Sequence, residues 1–169
     1  MTAYIEIPQP DALGEREKED AMGAYFMMFA ALASSLPLPI INLIAAIVYY
    51  YINRKKSRFV HFHVLQSLLS QLPTTILNWG LLYWVLQLYL FQNYTVNNYF
   101  YAYLFFVIVA NLLYIIFSLV AAFKARKGIF FYFLFFGPYA YNRAYRKTNT
   151  LTYENEEKRH ETVINTPPF

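Results

Sequence analysis

The chain has 169 residues, of which 58% are hydrophobic and 21% aromatic but only 14% charged, whereas roughly a quarter of the residues in an ordinary soluble domain carry charge. All ten acidic residues lie in the first 20 or the last 16 positions, which excludes most proton-coupled chemistry inside a bilayer, because ionisable groups carry such pathways. The absence of cysteine removes disulfides, thiolate nucleophiles and thiolate metal sites.

Residues 1–20 form an acidic polar tail with six acids and two bases. A secretory signal opens with a basic region and transit peptides avoid acids. The chain is therefore expected to insert through its own membrane segments, with a bacterial inner (cytoplasmic) membrane as the simplest location. A membrane domain, residues 21–146, follows. Its first apolar stretch, 21–52, would be ~48 Å long as one helix against a hydrocarbon core of ~30 Å. Pro37 and Pro39 break it, since each removes an amide donor and pushes the preceding residue out of the helical region. An interfacial helix before a kinked span and a hairpin of two short helices both fit.

The second stretch, 64–91, and the third, 99–123, contain no Lys, Arg, Asp or Glu and are predicted to be transmembrane helices. The last, 129–142, has 14 residues and contains Gly137-Pro138, so a re-entrant or interfacial segment fits it at least as well as a span. The polar tail 147–169 is expected to be disordered when alone. The predicted fold is all-α: a polytopic membrane helical bundle of three to four transmembrane helices plus a re-entrant or interfacial C-terminal segment.

Basic residues orient this bundle. Arg54, Lys55, Lys56 and Arg58 follow the first stretch, Lys124, Arg126 and Lys127 follow the third, and Arg143, Arg146 and Lys147 follow the last, with none between the second and third. An excess of Lys and Arg marks cytoplasmic loops, which places the loop around Asn93 outside. Arg54, Lys55, Lys56, Arg58, Arg143, Arg146 and Lys147 are thus candidate topology determinants and contacts for anionic lipid headgroups. Nucleic acid is not an expected partner. Asn93-Tyr94-Thr95 matches a glycosylation sequon, which in a bacterial protein reads as chance.

On the second helix a polar stripe enters the membrane from the basic loop. At 100° per residue His63, Ser67, Ser70, Thr74 and Asn78 share one face, with Gln66 and Gln71 flanking it. Asn111 and Ser118, seven apart on the third helix, are candidate facing partners. The stripe either bonds to neighbouring helices or lines a water-accessible groove. Pro73 within it adds a bend.

Catalysis finds little support. His61 and His63 point to opposite sides of a helix and His160 is remote, so no three or four ligands converge on a metal. His63 and Ser67, at four-residue spacing, offer a base beside a hydroxyl without a third orienting group. No HExxH, GxSxG or phosphate-cradling glycine loop occurs. The chain is expected not to be an enzyme and to need no cofactor.

Two motifs carry a resemblance. Phe62-His63-x-x-Gln66-x-Leu68, after a basic loop, resembles the Phe-His-x-x-Gln-Ala-Leu motif of the Tic translocon twenty-kilodalton-like superfamily, with Ser67 in place of alanine. Ala122-x-Lys124-Ala125-x-Lys127-Gly128 resembles that family's Ala-x-Lys-Ala-x-x-Gly signature, although the proline usual soon after it is absent. The resemblance implies a small helical membrane protein and, through the chloroplast import subunits, a link to protein translocation. Phe62, His63, Gln66, Lys124, Lys127 and Gly128 become candidate motif residues that pin the cytoplasmic helix ends together.

The expected function is that of a non-catalytic accessory subunit of a larger membrane complex, in protein translocation or insertion, with the lipid bilayer and other membrane subunits as partners. The alternative is a small channel or transporter for a neutral solute built around Ser67, Ser70, Gln71, Thr74 and Asn78, with Asn111 and Ser118 opposite.

Overall fold

The computed structural model describes residues 6–30, 39–90, 96–146 and 164–168. Pro37, the sequon at Asn93, Lys147 and His160 lie outside the described residues. Among those described, the regular elements are helical: α1 (Glu15–Phe26), α2 (Pro39–Asn53), α3 (Arg58–Tyr89), α4 (Asn98–Arg126) and α5 (Phe136–Tyr145), with single 3-10 turns at Pro10–Ala12 and Met27–Phe29.

Each boundary has a local cause. Ser57 caps α3 by accepting from the Val60 amide at 3.2 Å, and Asn97 caps α4 by accepting from Phe100 at 3.0 Å. Helix α4 stops at Gly128, whose φ of 73° only glycine adopts without penalty. The Gly128 and Ile129 amides then reach back to the Ala125 and Lys124 carbonyls, both at 2.9 Å. Helix α3 continues through Pro73.

The acidic segment expected as a tail is partly helical. Helix α1 begins at Glu15, where carboxylates complement the helix dipole and the Glu17 side chain accepts from the Gly14 amide at 3.0 Å. Asp20 meets Lys56 at 2.7 Å, so the chain entering through α1 and leaving through α2 starts and finishes at the same end of the molecule. Helices α1 and α2 are thus joined at that end by an ion pair. Helix α2 has 15 residues, ~22 Å by helical rise.

Helices α3 and α4 form a long antiparallel pair from the same end. Of the two, only α4 is both long and apolar enough to cross a membrane, and it is the one such helix among the described residues. Helix α3 has the length, at 32 residues, but its polar stripe dilutes its apolarity. Three to four spans are therefore not established by length and composition. Phe105, Ile108, Leu112, Ile116 and Val120 of α4 lie exposed, an apolar surface that the fold leaves uncovered.

The segment after Gly128 folds back on itself. Residues 129–133 have no regular secondary structure, α5 has ten residues, and Tyr145 at its end packs on Phe130, ring centroids 5.7 Å apart. The C-terminal tail is not wholly free either: Asn165 accepts from the Phe130 amide at 3.0 Å and donates to the Gly128 and Pro8 carbonyls at 2.9 and 2.8 Å.

Candidate functional site

The charged end of the bundle is organised by Gln66, which is fully buried. Its Nε2 donates to the Tyr25 hydroxyl and to the Phe131 carbonyl, both at 2.8 Å, and its Oε1 accepts from the Phe133 amide at 3.1 Å. One side chain of α3 thereby holds α1 and the segment 129–133 that precedes α5. Gly137 lies against this joint, where an added Cβ would meet Gln66 Oε1 at 3.1 Å and the Tyr132 backbone at 2.8 Å.

The Tyr25 hydroxyl that accepts from Gln66 is also hydrogen-bonded to His63 Nδ1, 2.9 Å away, which links His63 to the Gln66 hub. Phe59 and Phe62 surround that ring edge-on, with centroids 4.5 and 4.8 Å away. They offer π faces and no hydrogen-bond acceptor. Ser67 is not activated by His63, because its hydroxyl donates to the Ala24 carbonyl at 2.7 Å. No base–nucleophile pair forms at this spacing.

Phe62, His63 and Gln66 thus meet the segment that follows Lys124, Lys127 and Gly128: Phe62 packs on Phe130 at 4.8 Å, and the Lys124 ammonium lies 5.4 Å from the Phe131 ring centroid. Lys127 stays exposed.

Around the hub lies the charged rim. Glu15 and Glu19 of α1 pair with Arg126 at 2.6 and 3.3 Å, while Asp20 pairs with Lys56. The acidic segment thus bridges two of the basic loops. Arg126 and then Lys18 hold the Glu15 carboxyl below its usual range. Arg58 donates to the Ala144 carbonyl at 2.9 Å and fastens α5. Arg54 stacks on Tyr51, its guanidinium 4.7 Å from the ring centroid. Lys55, Arg143 and Arg146 are exposed. Burial, followed by the charges of Arg143, Arg54 and Arg58, keeps the His61 pKa below its ordinary value.

The polar stripe turns inward. Ser70 and Thr74 donate to carbonyls of their own helix, Ser67 at 2.8 Å and Gln71 at 3.0 Å. Asn78 and Asn111 exchange two amide hydrogen bonds of 3.0 Å across α3 and α4. Ser118 and Gln71 are buried beside Tyr114. A stripe closed against α4 favours packing over a groove open to solvent.

Sequence reasoning missed Tyr25, Gln9 and Asn165, whose roles depend on distant partners. Tyr114 was within reach of it, since 111, 114 and 118 share one helical face. Among the described residues, no three His, Asp or Glu side chains are placed to hold a metal ion.

The family model of the MamF/MmsF group, described as the magnetosome magnetite crystal formation protein family, matches residues 19–139. No curated protein and no solved structure matches the chain. The match overturns the resemblance to the Tic-like superfamily, and the link to translocation that rested on it falls as well. The motif residues perform packing tasks, a helix start against an aromatic cluster and a glycine helix stop.

Proposed function

Because the chain belongs to the magnetosome magnetite crystal formation protein family, whose model spans well over half of it, we propose that it is a non-catalytic, multi-pass protein of the magnetosome membrane. There it takes part in magnetite crystal formation alongside other membrane proteins. The family match over residues 19–139, which runs from within α1 into α5, carries this reading.

The architecture supports it in three ways. Helix α4 presents uncovered apolar side chains along its length, the surface that lipid would cover. Helix α3 beyond His63 runs beside it with its polar groups turned inward, so the pair spans together although α3 alone is too polar. Leu134 and Phe135, 82% and 77% exposed next to the basic rim, suit insertion at the membrane interface. The residues divide into an N-terminal segment 1–20, a membrane domain 21–146 and a tail 147–169. Basic loops place the charged end in the cytoplasm, where Lys55, Arg143, Arg146 and Lys147 contact anionic headgroups. The opposite connection, between α3 and α4, has no charged residue and faces the crystal compartment.

Two measurements test this. The lack of cysteine makes single-cysteine labelling clean: with an impermeant maleimide on intact magnetosomes, Lys127→Cys should label and Asn97→Cys should not. Deleting the chain from a magnetosome-forming cell should change crystal size, shape or number, and complementation should restore it. Unchanged crystals together with the protein in another membrane would overturn the proposal.

A further inference from the structure

Residues 8–10 and 164–168 meet where α4 stops. An added Cβ at Gly128 would come within 3.0 Å of the Pro10 Cα, so the N-terminal segment passes directly over the helix stop. Asn165 is 3% exposed and its amide fills the gap between the two. Its Oδ1 accepts from the Phe130 amide at 3.0 Å, and its Nδ2 donates to the Pro8 and Gly128 carbonyls at 2.8 and 2.9 Å. Gln9 grips the neighbouring backbone: its Oε1 accepts from the Ile164 and Asn165 amides at 2.9 and 3.1 Å, and its Nε2 donates to the Asn165 carbonyl at 3.3 Å. The Tyr132 hydroxyl donates to the Thr166 carbonyl at 2.8 Å.

This is how a ligand is held, and not how a core element is held. Ile164 is 54% exposed, and Thr166 and Pro167 are exposed too. The apolar cluster at this end, which includes Ile7, Leu13 and Phe130, contains no side chain of 164–168. Backbone groups and one anchoring side chain supply the contacts, the division of labour by which linear peptides are recognised. Removing the segment would uncover polar groups that water can solvate. The anchor is also selective. An asparagine amide offers the two donors and the acceptor that the gap requires, whereas aspartate would set a carboxylate against two carbonyls. Pro167 and Pro168 fix their own φ and restrict the residues before them, so less conformational freedom is lost on docking.

We propose that the cleft formed by Pro8, Gln9, Gly128, Phe130 and Tyr132 is a peptide-docking site selective for asparagine, that residues 164–168 occupy it as a detachable ligand, and that the emptied cleft takes the same segment from a second copy of the chain. Every copy carries both the cleft and the matching segment. Exchange replaces one set of bonds by an identical set, as in domain swapping, so only covalent tethering favours the contact within one chain. Pro8, Gln9 and 164–168 all lie outside the family match over 19–139. The site therefore goes beyond the role in crystal formation and does not rest on it.

The test uses the full chain in detergent and a fluorescent peptide of residues 162–169. Asn165→Asp expels the tethered segment, so this variant should keep a thermal midpoint near that of the parent and should bind the peptide saturably. The parent should bind it about tenfold more weakly or less, because its own segment competes at an effective concentration on the order of millimolar. A peptide carrying Asn165→Asp should not bind, and adding Gln9→Ala to the variant should abolish binding. Mixing tells whether copies exchange segments: the Asn165→Asp chain has an open cleft and the Gln9→Ala chain a competent segment, so the two should co-purify while neither self-associates. A collapse of the midpoint in Asn165→Asp would overturn the proposal by making the segment part of the core. So would no saturable binding, equal binding by the parent or of the aspartate peptide, or failure of the complementary variants to associate.

Discussion

Asn78 and Asn111 hold each other twice across α3 and α4, each side-chain amide donating to the other's carbonyl at 3.0 Å. Asn111 also donates to the Val107 carbonyl of its own helix. Replacing either alone leaves an amide facing an apolar side chain, whereas replacing both removes the polar pair as a unit. Asn78→Leu and Asn111→Leu should each destabilise the chain by ~1 kcal/mol, with the double variant losing less than the sum. Unfolding in detergent with a double-mutant cycle measures the coupling, and strict additivity would contradict the pair.

Gln66 carries three bonds to two other segments. Gln66→Leu should cost about 2–4 kcal/mol, because the Phe133 amide and Phe131 carbonyl lose their partner. Hydrogen exchange should then rise selectively over residues 129–137. Gln66→Glu should be no better, since a carboxylate cannot donate to the Tyr25 oxygen or the Phe131 carbonyl. A wild-type midpoint in both variants would remove Gln66 from its place at the hub.

The same device seals two helix crossings. The Tyr49 hydroxyl donates to the Asp20 carbonyl at 2.9 Å and lies over Gly23, while the Tyr103 hydroxyl donates to the Leu77 carbonyl at 2.9 Å and lies over Gly80. In each case the glycine stands three residues after the accepting carbonyl, and a Cβ there would collide with the hydroxyl. Gly23→Ala and Gly80→Ala should destabilise by about 1–3 kcal/mol. Tyr49→Phe should offset part of the first, and Tyr103→Phe part of the second, because removing the oxygen opens space. If the phenylalanine variants merely add their own penalty, the close approach is not what the glycines provide.

Acidification should loosen the charged end. His61 has its pKa lowered from 6.5, chiefly by burial and then by Arg143, Arg54 and Arg58. Its contribution is complete above pH 6.5 and is lost as pH falls from there toward the folded value, because the unfolded chain takes up the proton first. Glu15 has its pKa lowered from 4.5, first by Arg126 and then by Lys18. Its contribution is present above 4.5 and is lost as pH falls through the folded value. Exposure keeps the Glu15 effect small and salt-sensitive. Hydrogen exchange over α1 should therefore rise in two steps below neutrality, with His61→Gln removing the upper one. A flat profile between pH 7 and 5 in the parent chain would contradict the His61 assignment.

Much of the candidate site was legible before any coordinates. Helical periodicity put Ser67, Ser70, Thr74 and Asn78 on one face of α3 with Asn111 as a candidate partner, without deciding between packing and a groove, and a glycine after Lys124 and Arg126 suited a helix stop. The hub was only half visible, because Phe62, His63 and Gln66 were recognisable as a motif while Tyr25 sits unmarked within an apolar run. That motif also suggested a family that the match over residues 19–139 overturns.

By itself the sequence determined what depends on neighbouring residues: an acid-free interior from Ala21 to Tyr153, two long uncharged runs, and the basic clusters around them. Run length, periodicity and charge placement are local quantities, so they survive without knowledge of the fold. Only the tertiary structure decided that Asp20 meets Lys56, that the acidic segment is a helix bridging two basic loops, and that Asn165 returns to hold Pro8 and Gly128. Those bonds join residues 36 to 157 positions apart. Their free energy appears only once packing has already brought both partners out of water, which no local pattern encodes.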